Sequence, residues 1–172
     1  MVFPIVGGDG KPTGYEIENS LRFNDGDSGR LSRAQSNGNQ DKWTWSGWVK
    51  RSNTGTNQCI FATTDGSATS FDAKFNSDDD IEVYNYFGGG YDSRLITNRK
   101  FRDVAAWYHI VIIYDSGNST EADRLQIWVN GTRETSFSTT DYPGLNADSD
   151  LNVSGSDFEL GRQGNGAQFF DG

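Results

Sequence analysis

The segment Trp107-Tyr108-His109-Ile110-Val111-Ile112-Ile113-Tyr114-Asp115 limits the possible folds more than any other part of the chain. It is almost entirely aromatic or β-branched, and such side chains crowd a helical turn but pack well on a pleated surface. With no polar alternation, the run predicts a strand covered on both faces and therefore central in its sheet. A polar stretch over 116–123 follows, and then Leu125-Gln126-Ile127-Trp128-Val129-Asn130-Gly131-Thr132-Arg133. There Leu125, Ile127 and Val129 share one face, and Asn130-Gly131 is a preferred two-residue hairpin turn.

Upstream, Trp43-Thr44-Trp45-Ser46-Gly47-Trp48-Val49-Lys50-Arg51 reads as a strand with Trp43 and Trp45 on one face and Trp48 on the other, unless Gly47 marks a bulge. Leu21-Arg22-Phe23-Asn24 and Leu31-Ser32-Arg33-Ala34 flank the turn residues 25–29 in the manner of a hairpin. Further strands are expected over 58–63, 70–75, 80–87 and 158–162. The first 19 residues, rich in glycine and proline, read as an extended arm before a single domain over 20–172.

Composition agrees with thin layers. Hydrophobic residues make up only 34% of the 172, yet aromatics reach 13%, so large rings must supply much of the buried area. The 21 glycines, with abundant Ser, Thr, Asn and Asp, mark turns at short intervals. Many short strands without a helical period define an all-β chain, a jelly-roll sandwich of two antiparallel sheets. A net charge of −9 opposes binding to phosphate backbones and anionic lipid, so no nucleic-acid partner is expected. No apolar run is long enough to span a bilayer, and no basic, apolar leader opens the chain, so neither membrane insertion nor a cleaved signal is expected. The single Cys59, in an apolar run, reads as a small buried hydrophobe.

The Trp107-Tyr108-His109-Ile110-Val111 strand followed by the Leu125 to Gly131 hairpin resembles laminin G-like and pentraxin-type concanavalin A-like lectin/glucanase domains. Ser20-Leu21-Arg22-Phe23-Asn24 and Trp45-Ser46-Gly47-Trp48-Val49-Lys50 extend the likeness over about residues 20 to 172. Together with Phe101-Arg102-Asp103-Val104-Ala105-Ala106-Trp107, the order of motifs is similar to laminin G-like modules on virion proteins of marine tailed bacteriophages. The resemblance implies a non-enzymatic, homo-oligomeric virion component of a tail fibre or head surface, assembled in the host cytoplasm. Residues 1–19 would dock it to other virion proteins, and its loops would attach to host-surface glycans. It also implies a further strand after Phe170-Asp171-Gly172, which leaves the sandwich over 20–172 one strand short. A freestanding carbohydrate-binding lectin is the alternative, followed by a glycoside hydrolase on the same fold.

Candidate site residues follow from their chemistry. Tyr84, Tyr86, Phe87 and Tyr91 place rings around Gly88 to Gly90, and such rings stack on pyranose faces or pack into a sandwich. Laminin G-like domains often hold calcium, for which Asn24, Asp25 and Asp27, or Asp148 and Asp150, offer oxygens. His109, the single histidine, reads as a strand residue without catalytic duty. Asp78, Asp80 and Glu82 would share a face if extended but lack the spacing of paired glycosidase acids, so Asp78-Asp79-Asp80 reads as a solvated turn.

Overall fold

A computed structural model describes residues 19–65, 69–164 and 166–172. The expected arm, residues 1–19, lies outside them except for Asn19. Eleven strands run in order among the described residues: β1 (Leu31–Ala34), β2 (Lys42–Val49), β3 (Gln58–Thr64), β4 (Ser70–Phe75), β5 (Ile81–Phe87), β6 (Gly90–Thr97), β7 (Tyr108–Asp115), β8 (Leu125–Val129), β9 (Thr132–Arg133), β10 (Phe137–Asp141) and β11 (Asp157–Leu160). Two single-turn 3-10 helices, Asp25–Asp27 and Glu121–Asp123, are the helical segments among the described residues. A seven-stranded sheet, β1-β11-β3-β4-β5-β6-β10, faces a four-stranded sheet, β2-β7-β8-β9, and all pairings are antiparallel. The chain passes between sheets after β1, β2, β6 and β9, which makes the expected jelly roll.

Alternation explains the core. Phe71, Ala73 and Phe75 of β4 point inward with Ile81 and Val83 of β5, against Ile110, Ile112 and Tyr114 of β7 and Leu125 and Ile127 of β8. Trp43 stacks on Tyr114 at 5.5 Å between centroids and meets the edge of Phe71 at 4.8 Å, joining the two sheets. β7 is interior to its sheet, as its composition predicts, but only alternate residues are fully buried. His109, Val111 and Ile113 turn to the half-exposed outer face, beside Trp48 and Trp128.

β2 runs in unbroken register with β7 through Gly47, so Trp43 and Trp45 share the inner face and Trp48 the outer, with no bulge. Asn130 and Gly131 have φ of 51° and 78°, as a primed hairpin turn between β8 and β9 requires. The expected hairpin of residues 21–24 with 31–34 does not form. β1 pairs with β11, while Phe23 exchanges backbone hydrogen bonds with Gly172. The Asp78-Asp79-Asp80 segment is a turn, as read, but only Asp78 is solvated, while Asp79 and Asp80 are buried. Asp79 accepts from the buried Arg51 and from Arg102, both at 3.1 Å, and from the Gly55 N–H at 2.8 Å, while Lys100 bonds Asp80 at 2.7 Å.

Candidate functional site

The outer face of the seven-stranded sheet carries the chemistry. Residues alternating with the core positions of β4 and β5 project there, and register sets Lys74 opposite Glu82, Asp72 opposite Tyr84, and Ser70 opposite Tyr86. On β6 the ladder slips by one residue after Asn85. Asn85 faces Ser93 but Tyr86 faces Tyr91, so the extra residue Asp92 brings Tyr91 onto the same face as Arg94.

A buried polar floor results. The Tyr84 hydroxyl donates to Asp72 Oδ2, and Gln163, from the segment after β11, donates to that oxygen at 2.9 Å and to the Tyr84 hydroxyl at 2.7 Å. Glu82 receives Arg94 at 2.6 Å and Lys74 at 3.2 Å. Burial raises the Asp72 carboxyl above its ordinary value, against the pull of its Tyr84 and Gln163 bonds, and burial beside Asp72 likewise raises the Tyr84 phenol. The second Asp72 oxygen is buried without a partner.

Over this floor the rings gather. Tyr91 meets the edges of Tyr84 and Tyr86 at 5.3 and 5.2 Å, and the Arg94 guanidinium lies 4.3 Å from its centroid. Tyr91 is 46% exposed, Tyr86 is half-buried and Tyr84 is covered. Of the four aromatic residues proposed from sequence, these three form one cluster. Phe87, 66% exposed at the hairpin end, follows Tyr86 on the opposite phase of β5 and joins no ring of it. Sequence reading missed Asp72, Arg94 and Gln163. The alternation of Ser70-Phe71-Asp72-Ala73-Lys74-Phe75 signals Asp72, but nothing local signals Gln163, 91 residues away.

The other candidates stand apart from this face. Asn24 caps the 3-10 turn, its Oδ1 accepting from the Gly26 N–H at 3.1 Å and its amide donating to Asp27 at 2.9 Å, while Asp25 is exposed. The Asn24 oxygen proposed for calcium is thus already engaged. Asp150, half-buried, has its carboxyl pushed up to about 6 by burial, with Asp65 and Asp92 adding to the rise against an Asn85 bond. Among the described residues no three His, Cys, Asp or Glu side chains are grouped to hold a metal ion. His109 shares a hydrogen bond with Ser46 at 2.9 Å and stacks on Trp48 at 5.1 Å, on the outer face of the four-stranded sheet. Cys59 is fully buried.

Two facing antiparallel sheets, joined by crossovers and bearing a polar and aromatic outer face, define an all-β jelly-roll domain. The chain belongs to the concanavalin A-like lectin/glucanases superfamily, whose family model matches residues 23–172. Among similar solved structures is domain 4 of AbnA, a GH43 extracellular arabinanase from Geobacillus stearothermophilus, in complex with arabinotriose. It is 15% identical at a TM-score of 0.56, over 83% of this chain and 62% of that one. The native heptameric SAP-like pentraxin from Limulus polyphemus is 13% identical at a TM-score of 0.54, over 83% of this chain and 65% of its own. The Ruminococcus gnavus IT-sialidase CBM40 bound to alpha2,3 sialyllactose is 12% identical at 0.54, over 84% and 87%. The chain thus spans less than two thirds of the first two, and at these identities the likeness is one of fold. No curated protein matches the chain.

Proposed function

We propose that the chain is a non-enzymatic carbohydrate-binding module whose saccharide rests on the outer face of the seven-stranded sheet. The observation that carries this reading is the tyrosine cluster of Tyr84, Tyr86 and Tyr91 above the Asp72–Gln163 floor, with Arg94 beside it. Aromatic edges offer an apolar surface for the C–H face of a sugar, and a few fixed polar groups beside them set its orientation. The arabinotriose and sialyllactose complexes among proteins of similar fold support the choice of ligand class.

The experiment is a glycan array followed by titration calorimetry on the saccharides retained. Tyr91→Ala lowers affinity about tenfold or more without lowering the melting temperature, since Tyr91 lies outside the core. Equal affinity in the variant, or a silent array, refutes the reading. Hydrolysis of a bound saccharide, abolished by Asp72→Asn, would make the module an enzyme instead. The place proposed for it, the surface of a tailed-bacteriophage particle, is supported by the order of the motifs at residues 20–24, in β2 and over 101–109. Mass spectrometry of purified particles tests that place, and absence of the chain from them refutes it.

A further inference from the structure

Beyond the tyrosines, the outer face of the seven-stranded sheet continues onto β10. Residues opposite each other in an antiparallel ladder share a face, with β-carbons about 5 Å apart. The pairing of β10 with β6 therefore sets Asp141 beside Arg94, and Thr139 beside Ile96, on the same face as Tyr91. Asp141 is exposed and Thr139, Ile96 and Arg94 are half-buried, whereas Asp72, Glu82 and Tyr84 are covered. The open ground of this face thus lies over β6 and β10, with Tyr86 and Tyr91 at one end and Asp141 at its border.

Charge is balanced across that ground. Arg94 and Lys74 both meet Glu82, and Asp141 flanks Arg94 from the other side. Toward the far edge Arg162 and Arg30 both meet Glu159, with Asp157 two residues from it on the same face. All four of these cations meet a carboxylate, and Asp72 is left over. The atoms of the polar floor that lack a partner, Asp72 Oδ1 and Gln163 Oε1, are both acceptors, so what is missing there is a donor.

We infer, resting on the saccharide reading above, that the saccharide is an uncharged one laid from Tyr91 across Arg94 to β10, and that Asp141 is the residue that turns acidic saccharides away. A ligand carboxylate or sulfate beside Arg94 would compete with Glu82 for a guanidinium already stacked on Tyr91, and would lie about 5 Å, one strand spacing, from Asp141. The net charge of −9 opposes it further. Hydroxyls bring no charge, and they can donate to Asp141 and accept from Arg94 at once. From β5 to β10 is two strand spacings, about 10 Å, which accommodates two sugar rings.

The test is an array that carries each neutral disaccharide beside its uronic acid and its sulfate ester, followed by calorimetry of the retained pairs at low and high salt. The parent chain is expected to bind the neutral member at least tenfold more tightly, with an affinity that salt hardly changes. Asp141→Lys, at an exposed edge position, is expected to raise affinity for the acidic member at least tenfold in a salt-sensitive way, while the neutral member binds as before. Glu82→Gln releases Arg94 and Lys74 and is expected to act in the same direction. If Glu82→Gln fails to fold, Asp141→Lys decides alone. A parent chain that binds the acidic member as tightly as the neutral one overturns the inference and leaves the saccharide reading standing, as does an unchanged preference in Asp141→Lys. A silent array refutes the saccharide reading itself, and the charge selection falls with it.

Discussion

The ring of Trp45 lies across the backbone of Gly47, with Cη2 2.7 Å from where a β-carbon on residue 47 would stand. The two residues share the inner face of β2, and the glycine allows a large ring to lie flat between the sheets, where it meets Phe61 at 4.8 Å. Gly47→Ala therefore forces the ring aside and is expected to cost about 1–3 kcal/mol, as overpacking of a core does. Chemical denaturation measures it. Trp45→Leu is expected to relieve most of the added cost in the double variant, which separates collision from any effect on the strand itself.

Asp79 holds together three segments that share no sheet pairing. Burial alone would raise its carboxyl pKa, but the Gly55 N–H, Arg102 and Arg51 outweigh it and hold the group below its ordinary value. A depressed carboxyl stabilises the fold above its unfolded pKa of about 4, and that contribution is lost as pH falls through the folded value. Asp79→Asn leaves Arg51 buried without its charge partner, and is expected to cost about 3–5 kcal/mol at neutral pH. Denaturation across the acid range should show a shallower loss of stability in the variant than in the parent.

Asp150 works in the opposite sense. Its folded pKa, pushed up to about 6, exceeds the unfolded value, so the native state binds the extra proton. Its contribution is complete below about pH 4 and is lost as pH rises to about 6. Since Oδ2 is buried without a partner, the ionised form is the costly one. Asp150→Asn is expected to raise stability at neutral pH by about 1–2 kcal/mol, part of the value of the shift, and to change it little in acid. Thermal unfolding at the two ends of that range decides it.

Tyr84→Phe tests the polar floor. The substitution keeps the ring against Tyr91 but removes the hydroxyl that bonds Asp72 and receives Gln163. Loss of a partner by a buried acid is expected to cost about 1–3 kcal/mol. On the proposed function it also weakens saccharide binding less than Tyr91→Ala does, because the covered ring cannot touch a ligand directly.

The parts of the fold legible in sequence were those whose own residues decide them. β7 is almost entirely β-branched or aromatic, Asn130-Gly131 admits few backbones other than a primed turn, and the alternation of β2 places its tryptophans correctly. β6 and β10 escaped notice because Gly90-Tyr91-Asp92 and Ser138-Thr139-Thr140-Asp141 are polar, and β10 lies at a sheet edge where little is buried. The hairpin expected at residues 21–34 failed because alternation does not say which partner a strand takes, and β11, over 120 residues on, takes β1. Half of the site was visible in the same way. Three tyrosines are legible as a local run of rings around Gly88 to Gly90, but their meeting depends on one extra residue in β6, and Asp72 acquires its partner Gln163 only through the folded chain.

The mutual bonds of Phe23 and Gly172, 2.8 and 3.2 Å long, bear on how the sandwich comes apart. Phe23 precedes all eleven described strands and Gly172 follows them, so a force on either segment loads the same pair of bonds, and the two fray together rather than one at a time.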